Sequence, residues 1–228
     1  MSPPQVSPPA LIVFDVNETL SDMSPLAASF EAVGLAANES ETWFAALLRD
    51  GFALTSVGAN PDFAELAAQS LRLRLQASGD RVNLERDVDT VMNTLTTLDV
   101  HPDVVAGVRA LRATGIRLVT LSNGATSVAE ELLQRAGIRT EFEKLLSVAD
   151  GPAWKPAAGS YARALEVCGV RSEEAMLVAV HPWDIDGAAR AGLRTGWLRR
   201  SAPGYPTFFL RPEVEAVDLV ALAGAVSG

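Results

Sequence analysis

Short apolar runs alternate with amphipathic segments along most of the chain. Three mostly apolar runs, residues 11–14, 116–121 and 175–180, each lead directly into polar residues. Runs of this kind are typical of strands buried on both faces of a parallel sheet. Weaker signals predict a short strand within residues 142–148 and a last strand at residues 195–198.

Helices are predicted between and after these strands, at residues 102–114, 125–136, 157–168, 185–191 and 218–226. Strands that alternate with helices predict an α/β fold with a doubly wound parallel sheet. Residues 21–100 differ, because their apolar residues recur at three- and four-residue spacing and no strand signal of similar strength interrupts them. We interpret this part as an insertion of four or five helices.

Composition narrows the function classes. The formal charge of −9 disfavours nucleic acid and anionic membranes as partners. No apolar run approaches the roughly 20 residues of a membrane-spanning helix. A lone cysteine, Cys168, suits a reducing cytoplasm. Residues 1–9 contain four prolines and lack the features of a signal peptide, so we expect a disordered lead-in.

Polar side chains follow the predicted strands or lie in a nearby loop. They are Asp15 and Thr19, Ser122 and Asn123, Lys155, and His181 and Asp184. Because the carboxyl ends of parallel strands meet at one edge of a sheet, we expect these side chains to converge there. From its position alone, Asp15 is a nucleophile, a metal ligand or a helix cap.

Four segments carry a family resemblance: FDVNETL (residues 14–20), LVTLSNG (118–124), WKPAAGSY (154–161) and LVAVHPWDIDGA (177–188). In order and spacing they resemble the haloacid dehalogenase-like hydrolase superfamily, and most closely its L-2-haloacid dehalogenases. The resemblance implies a Rossmann-like core, residues 10–22 plus 100–228, with a helical cap, residues 23–99. It also implies a homodimer.

The resemblance implies a role for each motif residue. Asp15 would attack the substrate and form a covalent ester. Thr19 would orient Asp15, and Lys155 would hold it and neutralise charge on the ester. Tyr161 lies six residues after Lys155, as in the lysine loop of these dehalogenases, and its hydroxyl could reach that lysine.

The remaining motif residues would bind substrate or direct water. Ser122 and Asn123 would donate hydrogen bonds to the substrate carboxylate or to a developing oxyanion. Asp184, alone or with His181, would direct the water that opens the ester, with His181 as a candidate general base. Trp183, His181 and Asn123 are candidate donors to the departing halide.

Three positions depart from family patterns. Asn17 replaces the second aspartate of the superfamily's phosphatases, and Val180 replaces a metal-binding carboxylate. Both changes favour a dehalogenase that acts on a small 2-haloalkanoic acid without metal or cofactor. Leu54, however, stands where a gapless match places the cap arginine of 2-haloacid dehalogenases, with Arg49 five residues earlier. The alternatives are therefore a magnesium-dependent phosphatase of a small metabolite, or a retired family member that only binds.

Several of these residues also have a purely structural interpretation. Thr19 is equally well explained as a turn cap, and Ser122 as a helix N-cap. Asp184 would cap a helix beginning at Ile185, His181 would be a satisfied structural histidine, and Tyr161 would pack on a helix face.

Overall fold

The computed structural model describes residues 8–80, 82–200 and 202–227, so the predicted lead-in lies outside the described residues except for Pro8 and Pro9. All strands of its one sheet are parallel, in the order β3-β2-β1-β4-β5-β6. The strands are β1 (Leu11–Phe14), β2 (Arg117–Ser122), β3 (Lys144–Ser147), β4 (Ala175–Ala179), β5 (Arg194–Leu198) and β6 (Val214–Ala216). The predicted doubly wound α/β class is confirmed.

Among the described residues, four helices lie between β1 and the rest of the α/β alternation, in the stretch predicted as a helical insertion. They are α1 (Pro25–Ala32), α2 (Glu39–Ser56), α3 (Phe63–Ala77) and α4 (Leu84–Thr96). The later helices are α5 (Val104–Ala113), α6 (Thr126–Arg135), α7 (Ala158–Cys168), α8 (Pro182–Arg190) and α9 (Leu219–Val226). In the described part of the chain, none of these helices is long and apolar enough to cross a membrane.

Two element predictions are wrong. The strand at residues 195–198 is not the last, because β6 pairs in parallel with β5 beyond a long loop. A three-residue strand is too short to show a periodic pattern. Helix α8 begins at Pro182 rather than Ile185, since proline suits the first helical turn, where its missing N–H is not needed.

Strand β1 divides the interior into two apolar layers. Leu11 and Val13 pack in a cluster with α7, α8 and the inserted helices. Ile12 and Phe14 point to the other face, in a cluster with α5, α6 and α9. Both faces of β1 are therefore buried, which explains its uninterrupted apolar sequence.

The polar loops meet where the sheet reverses its order. Strand β1 lies between β2 and β4, and Phe14 aligns with Val178. Asp15 follows β1 and His181 follows β4. Such a topological switch point is where open α/β sheets bind their ligands.

Candidate active site

Asp15 is the first residue beyond β1 and is 4% exposed. Its backbone N–H donates to the Val178 carbonyl at 3.1 Å, which fixes the start of the loop. The Thr19 hydroxyl donates to Asp15 Oδ2 at 2.7 Å and accepts the Val180 N–H at 3.1 Å. Thr19 therefore joins the loops after β1 and β4 and orients the carboxylate.

Lys155 is completely buried, and its ammonium lies between two carboxylates. Lys155 Nζ donates to Asp15 Oδ1 at 2.8 Å and to Asp184 Oδ2 at 2.6 Å. The Asn123 side chain accepts the Lys155 N–H at 3.0 Å and donates to the Lys155 carbonyl at 3.4 Å. Asn123, predicted as a substrate ligand, thus holds the lysine loop in place.

Asp184 has both carboxylate oxygens occupied. Lys155 Nζ bonds Oδ2, and the buried Tyr161 hydroxyl donates to Oδ1 at 2.6 Å. The interpretation of Asp184 as a helix cap is wrong, because Asp184 is the third residue of α8 and its N–H donates to the His181 carbonyl. The interpretation of Tyr161 as only a packing residue is also wrong.

The buried charges shift one another's ionisation. Burial raises the pKa of Asp15, but the charges of Lys155 and His181 outweigh this and hold that pKa below its usual value. Burial raises the pKa of Asp184, and the nearby Asp15 charge adds to this shift against the opposing effect of Lys155. Burial lowers the pKa of Lys155, yet the two carboxylates outweigh it and raise that pKa. Burial also raises the pKa of Tyr161 well above its usual value. The ammonium and the Asp15 carboxylate are therefore both charged at neutral pH.

His181 places one ring nitrogen among three acceptors. Its Nε2 lies 3.3 Å from the Asn17 carbonyl, 3.4 Å from Glu18 Oε2 and 3.6 Å from Asp15 Oδ2. A nitrogen facing only oxygen acceptors is best satisfied as an N–H donor. The Trp183 ring stacks on the imidazole, with ring centroids 4.9 Å apart, and fixes its plane. The geometry favours a donor role for Nε2 over a base role.

A small cavity lies beside the loop after β1, on the side of the inserted helices. Asn17 and Ser122 supply polar groups to this cavity, which has a volume of about 40 Å³, and Phe63, Met92 and Leu95 supply apolar walls. The Ser122 hydroxyl accepts the Gly124 N–H at 2.9 Å. This bond leaves the Ser122 O–H free to donate to another group.

The inserted helices bring no cation to the nucleophile within the described residues. The ion-pair partners of Asp15 there are Lys155 and His181. Arg49 is largely exposed and pairs with Asp50, and Leu54 is half-buried in α2. The arginine that the family pattern places on the cap is thus not replaced by Arg49.

The described residues do not fit a resident magnesium ion. Magnesium prefers several hard oxygen ligands. Val180 has no side-chain oxygen, and its carbonyl accepts the Trp197 indole N–H at 2.9 Å. Both oxygens of Asp184 already accept hydrogen bonds, from Lys155 and Tyr161. Across residues 8–80, 82–200 and 202–227, no group of three or more His, Cys, Asp or Glu side chains could hold a metal.

Side chains outside the four motifs, which were not predicted from the sequence, support the nucleophile loop. His101 Nε2 lies 3.0 Å from the Glu18 carbonyl, and an Arg200 guanidinium N–H donates to the Thr19 carbonyl. Arg200 also pairs with Asp103 at 2.9 Å. These residues are far apart in the chain and carry no motif.

Comparisons with known proteins place the chain in a family. The model of the haloacid dehalogenase-like hydrolase family matches residues 9–192, and the chain belongs to this family. Haloacetate dehalogenase H-2 of Moraxella sp. (strain B) is 29% identical over 83% of this chain and 85% of its own. (S)-2-haloacid dehalogenase 1 of Pseudomonas sp. (strain CBS-3) is 27% identical over 82% of this chain and 83% of its own.

The fold also matches a solved dehalogenase structure. This structure is L-2-haloacid dehalogenase of Xanthobacter autotrophicus with chloropropionic acid covalently bound. Its TM-score is 0.84 and its identity 22%, over 96% of this chain and 98% of that one. This likeness shows the fold, and the match of the family model confirms the recognition of the family from its four motifs.

Proposed function

We propose that the protein is a hydrolytic dehalogenase in which Asp15 displaces halide from a small 2-haloalkanoic acid. The main support is the buried contact of Asp15 with Lys155, which keeps the Asp15 carboxylate ionised and fixes its orientation. Curated relatives named as haloacetate and (S)-2-haloacid dehalogenases support this substrate class. Asn17 fits it as well, because a departing halide needs no proton from a general acid.

The first step is an inversion at carbon 2. One Asp15 oxygen attacks this carbon, the carbon–halogen bond breaks with its electron pair on the halide, and an aspartyl ester forms. Thr19 and Lys155 hold the carboxylate in place, which restricts the attack to one direction. Trp183 and the His181 N–H would border the departing halide.

The second step hydrolyses the ester at the Asp15 carbonyl carbon. Water adds to this carbon, and the Lys155 ammonium stabilises the negative charge that develops on the Asp15 oxygens. Collapse of the adduct breaks the bond to the esterified oxygen, which leaves with the 2-hydroxy acid. Asp184 keeps Lys155 between the two carboxylates during this step. No step requires a metal or a cofactor.

The cavity argues for a short substrate. The cavity volume is about 40 Å³, and Phe63, Met92 and Leu95 wall it, so it has no room for a long carbon chain. Ser122 and Asn17 would bind the substrate carboxylate there, beside the apolar wall of α3 and α4. We expect kcat/KM to fall as the substrate chain lengthens from two carbons to four.

Halide release and isotope labelling test the proposal. The protein is incubated with bromoacetate and with both enantiomers of 2-chloropropionate, in EDTA or in magnesium sulfate, and free halide is measured. With enzyme in excess and ¹⁸O-labelled water, the label should enter the Asp15 carboxylate, because the product keeps an enzyme oxygen. Asp15→Asn should abolish release, and Asp99→Asn, on the exposed surface, should not.

Two results would contradict the proposal. One is the absence of halide from every haloacid under both conditions. The other is magnesium-dependent release of phosphate from a panel of phosphate esters, lost in Asp15→Asn.

The homodimer and the cytoplasmic location implied earlier stay predictions, and light scattering of the purified protein would test the first.

A further inference from the structure

The loop that carries Asp15 needs support from other parts of the chain, because its backbone is unfavourable at one residue. Glu18 has a φ of +60°, in the left-handed region that favours glycine. A non-glycine residue persists there only where the surrounding structure holds it. The Glu18 carbonyl lies 3.0 Å from His101 Nε2, and the next carbonyl, that of Thr19, accepts a guanidinium N–H of Arg200 at 2.5 Å. These two contacts therefore maintain the loop conformation.

Thr19 transmits this support to the nucleophile. The fully buried Thr19 hydroxyl donates to Asp15 Oδ2 at 2.7 Å and accepts the Val180 N–H at 3.1 Å. Threonine is stiff at χ1, so a movement of its backbone moves the hydroxyl as well. A group that fixes the Thr19 carbonyl therefore also fixes the Asp15 carboxylate, through one intervening residue.

Arg200 is itself anchored at several points. It is the second residue after β5, and its backbone N–H donates to the Val217 carbonyl at 3.1 Å. A second guanidinium nitrogen pairs with Asp103 at 2.9 Å, and Asp103 accepts the Leu219 N–H at 2.7 Å at the start of α9. A guanidinium presents its donors in a rigid fork, so one side chain can hold two partners at fixed positions. The fork thus connects the starts of α5 and α9 to the nucleophile loop.

We infer that Arg200 is a positioning residue for the reaction, which keeps the Asp15 carboxylate aimed at the substrate by fixing the carbonyl of Thr19. This inference rests on the proposed function. Arg200 does not line the cavity beside Asn17 and Ser122, so its loss should slow the chemical steps without weakening substrate binding. A misplacement of a reacting group by about 1 Å can cost about 10²-fold in rate.

Replacement of Arg200 by glycine tests this role. Glycine suits the φ of +45° at this position and removes the guanidinium. In Arg200→Gly, single-turnover release of bromide from bromoacetate should slow by about 10- to 10²-fold. The steady-state kcat should fall with it, while KM stays close to the wild-type value, as for an interaction that acts only in the transition state. Arg199→Gln changes the neighbouring exposed arginine and should behave like the wild type.

Chemical rescue separates positioning from a general loss of structure. Arg200 lines a solvent-open crevice of about 520 Å³, so a free guanidinium ion can reach the space that the glycine variant leaves. Guanidinium sulfate, at concentrations that do not denature the variant, should restore part of the rate of bromide release. Urea has the same planar shape without the charge, and sodium sulfate supplies the anion without the donors. Neither should restore the rate.

A second variant measures the structural share of the effect. Asp103→Asn removes the charge that pairs with Arg200 and leaves the contact between Arg200 and Thr19 in place. It should lower the free energy of unfolding, as measured by urea denaturation, because the ion pair at the starts of α5 and α9 is weakened. Its kcat should stay much closer to the wild-type value than that of Arg200→Gly.

Each outcome has a distinct meaning. Unchanged kcat in Arg200→Gly would overturn the inference and leave the proposed function standing. A raised KM at unchanged kcat would also overturn it, because Arg200 would then bind substrate. A loss of kcat that guanidinium does not restore, or that Asp103→Asn reproduces, would assign Arg200 to the packing of α5 and α9 and overturn the inference as well. Absence of bromide from the wild type would instead remove the proposed function itself.

Discussion

At the scale of single residues, the Lys155 ammonium is the group on which the site depends most. It is fully buried and hydrogen-bonded to two carboxylates that would otherwise repel each other. Removing one partner of a buried ionic cluster leaves an uncompensated charge and typically costs about 3–5 kcal/mol. Lys155→Met should therefore lower the free energy of unfolding by about that amount, as measured by urea denaturation at pH 7, and should abolish halide release.

The matched control also neutralises one of the buried carboxylates that Lys155 contacts. In Lys155→Met with Asp184→Asn, one of the two carboxylates left unpaired by the first change is neutral. The double variant should be more stable than the sum of the two single changes predicts, because the residues contact each other. If the loss of stability in the double variant equals the sum of the losses in Lys155→Met and Asp184→Asn, the two residues are not coupled.

The two tyrosines of the chain provide a second residue-scale test. The buried Tyr161 hydroxyl donates to Asp184 Oδ1 at 2.6 Å, whereas the Tyr205 hydroxyl donates to the Leu210 carbonyl at 2.8 Å. Tyr161→Phe leaves a buried carboxylate oxygen unsatisfied and should destabilise the protein by about 1–3 kcal/mol. It should also lower kcat, because Asp184 then positions Lys155 less firmly. Tyr205→Phe should leave kcat unchanged, and an equal loss of kcat in both variants would contradict the assignment.

At the scale of elements, the contact between α2 and the lysine loop joins the inserted helices to the site. A Cβ built on Gly51 would lie 2.2 Å from the buried Trp154 ring, and the Trp154 indole N–H donates to the Pro61 carbonyl at 2.9 Å. Gly51→Ala should therefore displace Trp154 and cost about 1–3 kcal/mol of stability, as overpacking usually does.

The control for this change is a glycine with free space around it. Gly224 lies within α9, and an added Cβ there meets nothing within 4 Å. Gly224→Ala should raise stability by about 0.5–1 kcal/mol, since alanine favours a helix. Because Lys155 follows Trp154 directly, Gly51→Ala should also lower kcat, and unchanged thermal melting in this variant would contradict the packing argument.

The predictability of these elements from sequence follows the strength of their patterns. Strands β1, β2 and β4 were predicted because central strands of a parallel sheet are buried on both faces and show continuous apolar runs. Strand β6 lies at the edge of the sheet, is three residues long and has no such run. The early start of α8 depends on how Pro182 packs after β4, which sequence spacing does not determine.

The sequence was enough to predict which residues meet at the site, but not which hydrogen bonds they form there. Converging strand ends indicated that Asp15, Lys155 and Asp184 would meet, and they do. That Asn123 would bond the backbone of Lys155 depends on the loop conformation, which the sequence does not determine. The left-handed backbone of Glu18 was not predictable either, because a φ of +60° at a glutamate is unfavourable locally.

At the scale of the whole molecule, one ionic cluster joins segments that are distant in the chain. Asp15 follows β1, Lys155 precedes α7 and Asp184 lies in α8, so the cluster connects both sides of the switch point. Ionisation of these buried groups should therefore change global stability and not only activity. Alkaline pH is where this coupling becomes measurable.

We expect the free energy of unfolding to fall as the pH rises from about 10 to 12. The pKa of Lys155 is raised above its ordinary 10.5 in the fold, because two carboxylates outweigh its burial. Its contribution is fully present below 10.5 and is lost as pH rises through the folded value. Burial raises the pKa of Tyr205 to about 12 and that of Tyr161 well above 10.0. Above pH 10 the unfolded tyrosines lose protons that the folded ones keep, which also favours unfolding.

Urea denaturation at half-unit steps from pH 9 to 12 measures this slope. Tyr205→Phe and Tyr161→Phe should each make the decline shallower, because each removes one group that holds its proton only in the folded state. Lys155→Met should do the same from a lower starting stability. The contradicting result is a wild-type stability that stays constant through this range. It would mean that these groups titrate alike in the folded and unfolded chain. The buried cluster would then not contribute to holding the two sides of the sheet together.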